Sequence, residues 1–138
     1  MVQIAGDGFR CPAAQVQEIL RSCPRFLRTV ERYAVILGLQ VAQTAGCNRL
    51  HDVEQRLARW LLMAQDRISS AVLPITHDFL ATMLGTDRPS VSLAAGILQK
   101  KQIIEYSRGS VKVLNRGELE KSACECYAVI QQYAGGLT

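Results

Sequence analysis

The chain has 138 residues, 49% of them hydrophobic and 20% charged, with a formal net charge of +4. That length holds one hydrophobic core, and the composition is that of a folded globular chain rather than a disordered one. Met1 to Leu20 lacks the apolar core of a secretory signal, and the longest apolar stretch, Tyr33 to Leu39, is far short of a membrane span, so a cytoplasmic protein without membrane association is expected.

Pro24 suits the first turn of a helix, where its missing N–H is not needed. From there to Cys47, the residues Leu27, Val30, Ala34, Leu37, Val41 and Thr44 recur in alternating steps of three and four, which makes a heptad seam. Phe26, Tyr33 and Ile36 broaden the apolar surface beside it. Such a segment is either a core helix of one domain or a seam that pairs with its twin. A hinge is expected over Gly46 to His51. Asp52 then opens another helix, with Gln55 at capping-box spacing. Val53, Leu57, Trp60, Leu61 and Ala64 form its inward stripe, and Glu54, Arg56 and Arg59 are expected to face out.

The stretch from Thr76 to Leu114 carries the most information. Thr76 can cap a helix whose apolar face is Leu80, Met83 and Leu84, and Gly85 follows where a left-handed residue ends it. Thr86 or Asp87 can cap a second helix, spanning 88–101, with Pro89 in its first turn. Val91, Ala94 (or Ala95) and Leu98 point inward, leaving Arg88, Pro89, Ser92 and Leu93 outward near its start. Ile103 to Tyr106 and Val111 to Leu114 are β-prone runs separated by Ser107-Arg108-Gly109-Ser110, a hairpin signal. Two helices around a glycine turn followed by a hairpin are the layout of a winged helix-turn-helix, which sets its second helix in the major groove of DNA. Arg88, Lys100, Lys101, Arg108 and Lys112 cluster around this reading head against Asp87 and Glu105, and local positive charge supplies the sequence-independent part of DNA affinity.

A last helix is expected from Gly117 to Tyr133, burying Leu119, Ala123, Tyr127 and Ile130. Five cysteines, an odd number at irregular spacing, do not suggest a disulfide framework. Cys124 and Cys126 form a C-x-C pair able to hold a metal or sense oxidants. No second pair lies close in sequence, however, and a helix would turn the two thiols in different directions. Neither a metal site nor a cofactor is expected.

The segments CNRLHDVEQRLARWLLMAQDRI and LPITHDFLATMLGTDRPSVSLAAGILQKKQIIEYSRGSVKVLNRGELEKSACECY resemble the C-terminal half of Crp/Fnr-family transcription regulators. The resemblance runs from about Arg25 to Tyr127. It implies a mainly helical fold with a small β-hairpin wing, divided into a sensor-domain remnant at 1–23, a dimerisation helix at 24–47 and a winged helix-turn-helix domain at 48–138. It further implies a homodimer joined along the Leu27 to Thr44 seam, which binds a palindromic operator in double-stranded DNA and regulates transcription, with RNA polymerase as a further candidate partner.

In the family an effector-sensing β-roll precedes the long helix. Met1 to Arg10 resembles the last strand and turn of that roll, and Pro12 to Cys23 the short helix after it. Too few residues precede Pro24 for the whole roll, so a truncated chain without an effector site is expected. Arg88 fits the first position of the family's recognition helix. Pro89 stands where a glutamate is frequent and Leu93 where an arginine is frequent, so the operator of better-known members does not carry over. Arg88 to guanine is the leading base contact, with Leu93 against a thymine methyl, while Thr76, Ser90, Ser92, Arg108 and Lys112 are phosphate candidates.

His51 and His77 are the only histidines, and no phosphate-binding glycine loop or nucleophile elbow is present, so catalysis is not expected. The alternative to a sequence-specific regulator is an interaction module, a dimerising fragment that modulates a full-length relative without specific DNA readout.

Overall fold

The computed structural model describes residues 6–68 and 70–135. The expected sensor strand at Met1 to Arg10 falls in its first half, Met1 to Ala5, outside them. Among the described residues the chain forms seven helices and three short strands. No helix among them is long and apolar enough to cross a membrane.

After α1 (Ala13–Ser22) comes α2 (Pro24–Leu50), the long helix that the seam and Pro24 announced. Its end differs from expectation. The helix runs through Gly46, and the His51 N–H still bonds the Cys47 carbonyl at 3.1 Å. A glycine inside a helix costs about 1 kcal/mol relative to alanine, too little to break a helix held on both sides. The hinge therefore shrinks to His51 and Asp52, and α3 (Val53–Ile68) starts at once, with the Gln55 side chain accepting from the Asp52 N–H at 3.3 Å.

The central element is α3, which contacts α4 (His77–Leu84), α5 (Arg88–Lys100), α6 (Arg116–Ser122), α7 (Cys126–Gly135) and the strand β1 (Val72–Leu73). Every residue from Arg56 to Ala64 is buried. The expected outward position of Arg56 and Arg59 is thus overturned, because a helix surrounded by neighbours has no solvent face to give them. Arg56 instead reaches two helix ends, its Nη1 donating to the carbonyls of Asn48 (3.0 Å) and Leu84 (3.2 Å). Leu57, Leu61, Leu80, Leu84, Val91, Leu98, Ile104, Val111 and Leu119 join one continuous core, and Trp60 meets Phe79 edge-on at 6.1 Å.

The sheet has the order β1-β3-β2, all antiparallel, with β2 at Ile104–Ser107 and β3 at Ser110–Val113. Strand β1 is an addition to the expected hairpin. It is two residues long, pairing Val72 with Lys112 and Leu73 with Val111, too short to leave a periodicity in sequence. The expected last helix is two helices. Ala123 adopts an extended backbone (φ −80°, ψ 153°), which ends α6, and α7 begins at Cys126 after Cys124 and Glu125. Leu119 and Ile130 are buried as expected, with Ala123 and Tyr127 half-buried. Arg116 binds the two pieces to α3 by reaching Asp66 (2.8 Å), Gln65 (3.0 Å) and the Tyr127 hydroxyl (2.7 Å).

Candidate nucleic-acid interface

The helix-turn-helix is built by local chemistry. Thr76 Oγ1 accepts from the Phe79 N–H at 3.2 Å, capping α4. At the other end Gly85 sits in the left-handed region (φ 61°), and the Thr86 N–H closes back on the Ala81 carbonyl at 3.0 Å. That conformation would strain any residue with a Cβ. Asp87 then caps α5, accepting from the Ser90 N–H at 2.8 Å and from its hydroxyl at 3.0 Å. These bonds hold the Asp87 carboxyl below its usual pKa. Val91, Ala94, Ala95 and Leu98 are buried against the core, which leaves the opposite face of α5 open.

Arg88, Pro89, Ser92 and Leu93 all lie on that open side, Leu93 with 70% of its surface exposed. Two of them already have partners. Arg88 Nε stands 3.6 Å from Asp78 on α4, a loose and well-solvated pair. The Ser92 hydroxyl bonds His77 Nδ1 at 2.9 Å, tying the start of α4 to α5. Of the basic residues expected around the reading head, Lys101 is drawn away, its ammonium 2.7 Å from Glu54 on α3. Lys100, Arg108 and Lys112 are exposed and in no ion pair among the described residues.

Arg108 occupies the tip of the wing. Ser107 pairs with Ser110, their hydroxyls 2.7 Å apart, and Gly109 takes the left-handed position (φ 84°) of the two-residue turn. Lys112 lies on the middle strand opposite Glu105 on one side and Val72 on the other.

The join between helix and wing was not foreseen. The Tyr106 N–H donates to Gln99 Oε1 at 3.2 Å, and His77, Ser92, Gly96, Gln99, Lys100 and Tyr106 line an open groove between α4, α5 and β2. No residue pattern along the chain marks such a groove, since it draws on three separate elements. Gln102, also unforeseen, closes α5 in the left-handed region (φ 57°), with its N–H on the Gln99 carbonyl (2.9 Å) and that of Ile103 on Leu98 (3.0 Å).

The seam of α2 stays open along most of its length. Leu27, Val30, Ala34, Leu37 and Val41 are exposed and Thr44 is half-buried, so the rest of the chain does not cover it.

The thiols differ from expectation. Because the last helix breaks between Ser122 and Cys126, Cys124 and Cys126 do not diverge. Both are buried and both turn toward Cys47 near the end of α2. The Cys47 and Cys124 sulfurs are 3.5 Å apart. Burial pushes the Cys47 thiol up and the Cys124 thiol to about 12.

Residues 55–122 match the Crp-like helix-turn-helix domain. The chain is similar in fold to a CooA mutant from Carboxydothermus hydrogenoformans (TM-score 0.62, 23% identity, covering 77% of this chain and 52% of that one). It is similar also to a structure from Eubacterium rectale described as a Crp/Fnr-family transcriptional regulator (TM-score 0.61, 21% identity, 80% and 51%). A third likeness is to a CRP-family transcriptional regulator from Thermus thermophilus (TM-score 0.53, 22% identity, 82% and 55%). The chain spans about half the length of these structures. No curated protein sequence matches it.

Proposed function

We propose, from the match of residues 55–122 to the Crp-like helix-turn-helix domain, that the chain is a DNA-binding transcription regulator that binds a palindromic operator as a homodimer. In this reading α5 enters the major groove, and Arg88 reads a guanine from its first turn. Leu93 is available to a thymine methyl. Thr76, Pro89, Ser90 and Ser92 flank the groove edge, and Arg108 and Lys112 bring the wing to the phosphates. The observation that carries the reading is the open outer face of α5, held by two capped helix ends against a fully packed inner face. A rigid helix presenting its first turns to solvent is what groove reading requires.

The homodimer rests on α2. An uncovered row of Leu27, Val30, Ala34, Leu37 and Val41 at heptad spacing is suited to a parallel twin, which would space two copies of α5 for two half-sites. Family and fold are those of regulators, not enzymes.

Selection of random duplex DNA by the purified chain at two salt concentrations tests the proposal. A palindrome with half-sites about one helical turn apart is the expected result. Salt-sensitive binding with no motif would limit the chain to phosphate contacts. Absence of binding would favour an interaction module that modulates a full-length relative.

A further inference from the structure

Cys47 and His51 stand one helical turn apart at the end of α2, and Cys124 and Cys126 come to them from the break between α6 and α7. One ligand atom from each of the four lies within 4.8 Å of all the others. Besides the 3.5 Å between the Cys47 and Cys124 sulfurs, Cys126 Sγ is 3.6 Å from His51 Nδ1. Ligands around a tetrahedral zinc, at about 2.3 Å for sulfur and 2.0–2.1 Å for nitrogen, stand roughly 3.5–3.8 Å apart. The cysteines are 1%, 4% and 1% exposed and form a cluster of their own outside the main core. We infer that Cys47, His51, Cys124 and Cys126 are a tetrahedral binding site for a borderline-soft divalent metal of the zinc class.

Three features around the cluster support a metal over packed thiols. His51 Nε2 lies 3.1 Å from Glu125 Oε1, which leaves Nδ1 facing the sulfurs. An imidazole held by a carboxylate through its far nitrogen is the usual second shell of a metal-bound histidine. Gln43 Nε2 donates to Cys126 Sγ at 3.0 Å, a bond that strengthens on a thiolate.

The third feature is Arg59, only 2% exposed and close enough for its charge to act on Cys47. Its Nη1 reaches the Met63 sulfur, its Nε has no partner, and no carboxylate pairs with it among the described residues. A divalent metal with three thiolates and a neutral imidazole carries one net negative charge, which this buried cation offsets.

Three thiols and an imidazole match the structural zinc type, each thiol releasing its proton to solvent as it ligates. A disulfide would use two thiols and leave Cys126, His51 and its carboxylate unaccounted for. Loaded, the site ties the end of α2 to the α6–α7 break across the short His51–Asp52 hinge.

The full chain is stripped with chelator, its thiols verified as reduced, and titrated with cobalt(II) and then zinc. One cobalt per chain with the visible bands of tetrahedral thiolate coordination is expected, displaced by zinc, together with a rise in melting temperature. Cys126→Ser loses the bands, and Glu125→Gln, on an exposed side chain, weakens zinc about 10–100-fold. The double variant Cys11→Ser, Cys23→Ser, altering only exposed thiols, keeps them. A reduced wild-type chain that binds no cobalt, or holds it only in octahedral form, overturns the site. So do tetrahedral bands that persist in Cys126→Ser or vanish in the Cys11, Cys23 variant.

Discussion

His77 lies flat on Tyr106, their ring centroids 3.8 Å apart and their planes inclined by 27°. The contact joins the first helix of the helix-turn-helix to the wing, and Ser92 on α5 completes the link through His77 Nδ1. Three consecutive elements, α4, α5 and β2, are thereby tied into one unit. In the proposed reading that rigidity fixes the distance between the base-reading turn and the wing tip.

The same histidine makes the unit sensitive to acid. Burial, and then the Arg88 charge, lower its pKa below the ordinary 6.5, with Asp78 opposing. The Nε2 atom is buried without a partner, so a proton there has nothing to bond. Tyr106 and Ser92 are neutral neighbours, and Lys100 lines the same groove as a further cation. The folded state therefore prefers neutral His77. Above 6.5 both states are neutral and nothing is lost; below it the unfolded chain takes the proton first, and stability falls until the folded pKa is reached. Urea midpoints measured from pH ~7.5 to ~5.5 should decline less steeply for His77→Gln than for wild type. Parallel declines in the two proteins would remove His77 from the explanation.

Gln102 closes α5 with the same pair of backbone bonds that Gly85 permits after α4, but with a side chain in the left-handed region. Gln102→Gly should raise stability by about 1 kcal/mol, read as a higher urea midpoint at unchanged slope. A lower midpoint would mean that the glutamine side chain contributes more than its backbone strain costs.

Arg56 donates to the last carbonyls of both α2 and α4, and helix C-termini welcome a cation there. Arg56→Met keeps the aliphatic volume and leaves those carbonyls without the donor, at a cost of about 1–3 kcal/mol. Thermal unfolding checks it, and an unshifted transition would show that water replaces the guanidinium.

Leu37 sits mid-seam on α2 with 43% of its surface exposed. If two copies pair along that seam, Leu37→Glu places two carboxylates in the interface and yields monomers in sedimentation. A mass identical to wild type would take the seam out of the dimer.

Arg88→Ala should cost about 1–3 kcal/mol on the selected operator and relax one base position, whereas Lys112→Ala should weaken all sequences alike. Binding isotherms on specific and random duplexes separate the two. Equal losses for Arg88→Ala on both would demote it to a phosphate contact.

What the sequence determined was whatever a few neighbouring residues decide. Thr76, Gly85, Asp87 and Pro89 cap, turn and start helices through bonds to their own backbone, so the helix-turn-helix and its open face were legible in order. The seam of α2 follows from its residue spacing, and the hairpin from two β-prone runs around the Gly109 turn. The tertiary structure decided what depends on surroundings. Periodicity assigns a helix one inward face, but α3 is enclosed on several, and so Arg56 and Arg59 are buried. A two-residue strand such as β1 exists only because β3 offers it partners. Above all, the break at Ala123 turned two expected divergent thiols into a cluster with Cys47 and His51, more than seventy residues away in the chain. Spacing along a helix sets direction only while the helix continues, and where it stops, packing decides which side chains meet.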